Sequence, residues 1–509
     1  MMKIPVFLCV YLVLVFRMPV FGQDTVPEQD PETEEEAATE PLKEEPEDAR
    51  STLYIIQAIR FDITGRTRPL GLLDAGNFEK GEMLWGKAGL EAYIQDKTQL
   101  LLNQRVLAAV SIDYVTGASD EQGFIPVDLL VSVIDTLNIV VLPYPQYSDN
   151  DGFKFTLKAR DYNFLGSMNA LRIDLGYQRD TEGEHSVVFE IDSDTPFNAF
   201  GYDFNLNFDH AFSYTFDQPL YYKNTTGISM ELPYKWTAFT FGFEQATVIH
   251  EENEDKYKPE YGDYDDWFTS SELYTSWKIP TGFRVHTFGE VAYIPKIAGK
   301  LAYPQEVLEY FRRGPTLTLS HKLEFGRIDW IGNYRRGLEA SLDNAYQYNL
   351  YSQSWNKTLD FSMAGHVPIR NFFGISGRLR YRHWFDDDHD AGDALRGMLD
   401  KSIHVPYMVS LNLDFPFRIL RFTPSQWLNN QKLRLFNGEV HASPFIDVAL
   451  LQNPRIAVTG GLELIAFPEL MRSFYARVSL GWNLIEALKT QSLPSGANRE
   501  LFIGIGHHY

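Results

Sequence analysis

From Phe153 to the C-terminus, apolar and polar residues alternate in short segments. In Phe153-Lys-Phe-Thr-Leu-Lys-Ala-Arg160 the odd positions are apolar and the even ones polar. Leu171–Tyr177, Phe204–Phe208, Thr316–Ser320 and Val409–Phe415 repeat the pattern. A period of two is that of a β-strand whose faces meet different surroundings. Turn-rich or charged stretches separate the segments, and about seventeen candidate strands fall between residues 153 and 509. Reading residues 225–248 as one split strand leaves about sixteen, an even number as antiparallel closure requires.

Residues 51–145 follow another pattern. Leu53–Ile63 reads as a strand, Phe78 to Arg105 as a helical stretch that Gly86 and Gly89 break in two, and 106–115 and 127–135 as two further strands. The order β-α-α-β-β around one core makes a small α+β domain.

The first 22 residues have the layout of a secretory signal. Lys3 supplies the charge, Ile4 to Phe16 the apolar run, and Val20-Phe-Gly22 the cleavage site. The run is too short to span a bilayer as a helix, and Arg17 ends it. Residues 23–50 form a linker with twelve acidic residues against Lys43 and Arg50, a net of 2 − 12 = −10, and four prolines. Such a stretch cannot bury enough apolar surface to order itself. The domains expected are therefore 1–22 signal, 23–50 acidic linker, 51–145 α+β domain and 146–509 barrel.

Composition sharpens this reading. Aromatic residues make up 14% of the chain, a load suited to the two interfacial girdles of a transmembrane barrel. Mean hydropathy is −0.26, which a barrel with a polar lumen permits and a bundle of membrane helices does not. The net charge of −22 argues against nucleic acid as a partner. The one cysteine, Cys9, lies in the signal, so no disulfide framework or cysteine metal site is expected in the mature chain. The fold class read from sequence is mainly β: a transmembrane antiparallel barrel preceded by one small α+β unit, with lipid as its surroundings.

Several local motifs resemble the BamA/TamA/FhaC superfamily of outer-membrane assembly and translocation proteins. The unit at 51–140 resembles a POTRA domain. Leu142-Pro-Tyr-Pro-Gln-Tyr-Ser-Asp-Asn-Asp-Gly152 resembles the approach to the first barrel strand, and Asp161-Tyr-Asn163-Phe-Leu-Gly166 the turn that follows it. Leu395-Arg396-Gly397-Met398, within the charged and small-residue stretch 386–404, resembles the Val-Arg-Gly-Phe tip of an inward-folded loop. Asp414-Phe-Pro-Phe417, Phe445-Ile-Asp447-Val-Ala449 and Gly460–Leu464 resemble the strands that follow. Met398 stands where the family has an aromatic residue, and Ala449 where it has glycine. The chain also carries one POTRA-like unit where the main assembly factors carry several.

The resemblance implies a lumenal loop pinned by Arg396, Gly397 and Asp447. It further implies a weak seam between the first strand (Phe153, Phe155, Leu157) and the last (Ile503, Ile505, Tyr509). Location would be the bacterial outer membrane with the α+β domain in the periplasm. Partners would be lipids, unfolded β-barrel clients, and periplasmic chaperones or accessory assembly proteins. A dedicated two-partner secretion translocator and a passive porin stay open as alternatives.

An enzyme is not expected. His441-Ala-Ser443 is faintly similar to the His-x-Ser of outer-membrane phospholipases, but Pro444-Phe445-Ile446 follows it in place of Asn-Gly-Arg. There is no Gly-x-Ser-x-Gly, phosphate-binding Gly-Lys loop or His-Glu-x-x-His, and no cofactor site is read.

Overall fold

The computed structural model describes residues 52–119, 123–150, 152–216, 220–234, 237–249, 267–284, 290–303, 315–385, 388–452, 455–473 and 475–505. The signal and linker readings, and Tyr509 of the expected seam, lie outside these residues.

The α+β domain is a four-stranded sheet with two helices on one face. Its elements are β1 (Leu53–Thr64), α1 (Pro69–Ala75), β2 (Met83–Trp85), α2 (Gly86–Asn103), β3 (Leu107–Thr116) and β4 (Phe124–Asp135). The sheet order is β2-β1-β4-β3, with β1 and β4 parallel. Leu90, Tyr93, Ile94 and Leu101 recur at helical spacing, so one face of α2 meets the sheet. They pack with Ile56, Leu72, Val127, Leu129 and Val131 in the core.

The helix expected from Phe78 is corrected. Phe78–Trp85 is a turn and the short strand β2, and the first helix instead starts at Pro69. Proline suits the first helical position because its missing N–H is not needed there. Lys97, buried in this domain, donates to the carbonyl of Asn77 and lies 4.9 Å over the Tyr93 ring.

The rest of the described chain is a closed antiparallel barrel of 18 strands, not sixteen. Two observations account for the difference. Leu220–Tyr234 and Thr237–Ile249 are separate neighbours paired from Tyr222↔Ile249 to Tyr234↔Thr237, so the segment taken as one split strand is two. The first barrel strand is Ile139–Ser148, ahead of the expected boundary at 146. Pro143 and Pro145 make it read as an irregular approach, since proline is excluded from strands that need donors on both sides. The fourteenth strand, Tyr407–Asp414 and Phe417–Phe422, is interrupted at Phe415-Pro416 but pairs with the same two neighbours throughout.

The domain is fastened across one end of the barrel. From the end of α2, the Asn103 side chain donates to Asp329 (2.8 Å) and accepts from the N–H of Trp330 (2.9 Å). Arg105 donates to the carbonyls of Gly332 (3.2 Å) and Arg472 and lies 4.1 Å over the Trp330 ring. Burial pushes its guanidinium down to about 10.

A second fastening uses the Asp161-Asn163-Gly166 turn. Its Asp161 side chain accepts the N–H of Asn163 (3.1 Å), as the turn chemistry requires. The fully buried Asn163 then donates to Thr67 (2.7 Å) and Asp135 (3.3 Å) of the domain. Gly166 has φ +78, and a Cβ on it would lie 2.4 Å from the carbonyl oxygen of Arg66. The motif read as a barrel turn is therefore also the joint between domain and barrel.

Candidate functional site

The segment after the thirteenth strand (Phe373–Trp384) leaves the end of the barrel opposite the domain and folds back into the lumen. Its small and apolar residues decide how it sits. Ala391, Ala394, Leu395, Met398, Ile403 and Val405 form one buried cluster with Met408, Ala449, Leu451 and Ala457 of the wall. Ala449 and Met398, the two departures from the motifs, both lie in this cluster, where a methyl group and a flexible thioether fill space against the loop. Asn412 of the wall donates to the carbonyl of Ala394 (2.8 Å).

At the tip, Arg396 is 3% exposed. Its Nε and Nη2 donate to the two carboxylate oxygens of Asp447 at 3.0 and 2.7 Å, a bidentate pair. Its backbone N–H donates to the same carboxylate (3.0 Å). Nη1 donates to Asp414 (2.6 Å) and Glu463 (3.2 Å), and the guanidinium lies 3.8 Å over the Phe445 ring. Glu463 also accepts from Arg477 (3.0 Å). The result is a buried cluster of two guanidiniums and three carboxylates, in which Asp447 is 0% exposed. Charges in so dry a place are held only when each has partners.

The strands explain why the carboxylates converge. In the fifteenth strand (Gly438–Leu451) Glu439, His441, Ser443, Phe445 and Asp447 share one face by parity, with Val440, Ile446 and Leu450 on the other. Asp414 is paired with Phe445, and Glu463 with Ser443, so both lie on the lumen face.

Gly397 fixes the tip in a second way. It has φ +93, and a Cβ there would sit 2.5 Å from the backbone nitrogen of Trp482 and 2.7 Å from the carbonyl carbon of Gly481. The loop thus crosses the seventeenth strand (Ala476–Asn483) backbone to backbone, which any side chain would prevent. Gly397→Ala is expected to lift the tip off the wall while the barrel still forms. Protease cleavage within 388–402 is expected to be slow in the parent protein and fast in the variant; unchanged cleavage would show that the crossing is not needed.

The N–H of Gly397 donates to Glu500 (3.0 Å) of the last strand, Arg499–Ile505. Glu500 also accepts from Asn150 (3.4 Å), beyond the first strand. The loop tip is therefore tied to both sides of the closure.

The expected seam residues are partly corrected. Phe153, Phe155 and Leu157 belong to the second strand and are paired on both sides, with Tyr147, Pro145 and Pro143 and with Arg179, Tyr177 and Leu175. The closure is made by the first strand, Ile139–Ser148. Among the described residues only Ser148↔Phe502 and Tyr147↔Ile503 pair across it, whereas the last two strands pair from Ala476↔Ile505 to Trp482↔Arg499. Ile503 is thus at the seam, and Ile505 pairs on the strand's other side.

The first strand itself limits backbone pairing at the seam. The N–H of Asp149 donates to the carbonyl of Leu501 (3.2 Å). Alternation then points the backbone of 147, 145 and 143 toward the last strand. Two of these residues are prolines and have no N–H to give. Their missing donors cost nothing on the other side, where the first and second strands pair from Ile139↔Asp161 to Ser148↔Gly152. Gly504 makes room for a bulky neighbour: a Cβ there would lie 2.2 Å from the ring of Phe502, itself 4.2 Å from the Arg477 guanidinium.

Sequence reading missed Asp414, Glu463, Arg477 and Glu500. Each is a charged residue in a strand rich in apolar and small residues, and the first two lie inside motifs already noted.

No protein-family model matches the chain, and no curated protein matches it in sequence. Among solved structures, CdiB from Acinetobacter baumannii is similar at 14% identity, over 89% of this chain and 74% of its own, with a TM-score of 0.44. CdiB from Escherichia coli is similar at 9% identity, over 92% of each chain, with a TM-score of 0.40. BamA from Haemophilus ducreyi lacking POTRA domains 1-3 is similar at 13% identity, over 89% of this chain and 84% of its own, with a TM-score of 0.35.

Proposed function

We propose that this chain is an outer-membrane barrel that inserts β-barrel proteins, or passes a polypeptide, through a weak seam between its first and last strands. The observation that carries the reading is a seam with two paired positions among the described residues, beside a loop tip locked by Arg396 and tied to the seam by Glu500. A strand edge with unpaired backbone groups is a template for an incoming strand. A client's own strand can pair there while lipid receives its apolar face.

Wall height supports the same reading. The strands flanking the seam are short: ten, ten and nine residues from the first onward, and eight in the one before the last. At about 3.3 Å per residue and a tilt near 40°, these rise roughly 20–25 Å, at or below the apolar band of an outer-membrane barrel. The far wall has strands of 16 to 18 residues. A bilayer meeting so low a wall must thin beside the seam, which eases entry of a new strand.

In this reading the α+β domain is POTRA-like and periplasmic. It hands on unfolded clients, with chaperones or accessory proteins delivering them. Depletion of the protein, with wild-type or Arg396→Ala chains added back, tests the reading by quantitative proteomics of outer-membrane and secreted fractions. Loss of several barrel proteins, restored by wild type alone, supports insertion. Loss of one secreted protein supports passage of a dedicated client. No change in either fraction overturns both and leaves a porin.

A further inference from the structure

Three turns at the domain end of the barrel are brief, two residues each at 200–201, 332–333 and 371–372, and the nine-residue connection at 162–170 is taken up by the joint with the domain. Transmembrane barrels ordinarily keep this side short. The connection between Phe422 and Gly438 does not. It runs over 423–437, with a short helix at Pro424–Trp427 and a 3-10 turn at Gln431–Phe436.

This segment is ordered from within. Buried Asn437 donates to the hydroxyl of Ser425 (2.8 Å) and to Glu469 (2.9 Å), and accepts the N–H of Ser425 (3.2 Å). Yet the clamped loop holds its largest apolar side chains outward: Trp427 is 65% exposed, Leu428 69% and Phe436 64%. A soluble loop with this much internal order would fold such residues under itself.

The exposed patch continues the outer face of the barrel. Leu420 pairs with Val440, so it shares the face opposite Glu439, His441 and Asp447. Leu420, Ile419 and, on the adjacent turn, Phe372 are also about half exposed or more. Charge adds a second mark. Residues 423–437 hold two basic residues, Lys432 and Arg434, and no acidic one, in a chain of net charge −22; Glu469 lies 3.5 Å from Arg434.

We propose that residues 423–437 are an interfacial foot that seats in the adjoining leaflet of the membrane and contacts anionic phospholipid headgroups. Trp427, Leu428 and Phe436 enter the acyl boundary, and Lys432 and Arg434 stay at the phosphates. Apolar residues beside basic ones on one short helical stretch suit such a surface. The foot sits between the fourteenth and fifteenth strands, the wall that carries Asp414 and Asp447. It therefore anchors against the bilayer the part of the barrel that holds the loop tip. The inference rests on the barrel crossing a bilayer.

The test keeps those two claims apart. The full mature chain, which has no cysteine after Cys9, is given a single nitroxide at Leu428→Cys, Leu462→Cys (outward-facing at the middle of the sixteenth strand, Arg455–Pro468) or Lys87→Cys. Each is reconstituted into vesicles of phosphatidylcholine with about a third phosphatidylglycerol, and collisions with oxygen and a water-soluble nickel chelate are measured. The label at 462 should be deep, at 87 aqueous, and at 428 about 5–10 Å below the phosphates. Nickel access at 428 should be at least about threefold below that at 87, and should rise when Lys432→Gln and Arg434→Gln are added. A deep 462 with an aqueous 428 overturns the foot alone. An aqueous 462 overturns the membrane barrel itself. Protection of 428 in native envelopes but not in pure lipid vesicles overturns the lipid reading in favour of a protein partner.

Discussion

Arg396→Ala is expected to destabilise this barrel more than any other single side-chain truncation in the lumen, by about 3–5 kcal/mol. The reason is what it leaves behind. Asp414, Asp447 and Glu463 all accept from Arg396, and Arg477 alone can answer three carboxylates. Asp447, with no exposure to water, loses two of its hydrogen bonds in one step and keeps the one from the backbone N–H of residue 396.

Lysine should recover less than half of the loss. One ammonium cannot grip Asp447 at two points and still reach Asp414 and Glu463. Asp447→Asn should be milder, because Arg396 keeps two carboxylate partners. Exchanging the two charges, Arg396→Asp with Asp447→Arg, should restore nothing, since the new carboxylate would face Asp414 and Glu463.

The discriminating measurement is a double-mutant cycle on unfolding from vesicles in urea. Arg396→Ala and Asp447→Ala together should cost clearly less than their sum, with a coupling energy on the order of 2–3 kcal/mol. Additive losses would mean that the two side chains are neighbours without being a lock.

Much of this was legible in the sequence because it rests on local rules. Period-two alternation located the strands between 153 and 505, and the count of seventeen there matches the structure until two true strands are merged. That merger failed because the connection at residues 235–236 carries neither Gly nor Asn, the residues that usually mark a two-residue hairpin.

The first strand was missed for a different reason. Pro143 and Pro145 look like strand breakers until the partner on each side is known. On a closure edge they remove only the donors that face the seam. Likewise, Asp161, Asn163 and Gly166 carry a turn signature, but that Asn163 reaches Thr67 and Asp135 depends on contacts about 96 and 28 residues away in sequence, which no local pattern encodes. The Arg396–Asp447 pair could be suspected from motif order, whereas Asp414, Glu463 and Arg477 needed the register that brings strands together.

A cross-link over the seam should abolish function without unfolding the barrel. Ser148 and Phe502 are directly opposed, and alternation from the Asp149–Leu501 bond makes them a pair without mutual backbone bonds. Such pairs have Cα atoms about 4.5 Å apart, inside the range a disulfide spans. Ser148→Cys with Phe502→Cys should therefore oxidise readily. The oxidised protein is expected to lose at least about tenfold in client insertion or passage and to regain it on reduction, because a closed seam has no edge to offer. The reduced form is the proper reference, since Phe502→Cys also removes the ring beneath Arg477. A pair at Ser341 and Ser362, opposed within the far wall, should oxidise without effect. Pro143→Val with Pro145→Val offers the same test without a covalent bond. Restoring two donors toward the last strand should lengthen the seam, slow its opening and lower activity while raising resistance to urea. Full activity in the oxidised Ser148–Phe502 protein would show that clients do not use the seam, and the Pro143→Val, Pro145→Val chain would then be more stable and equally active.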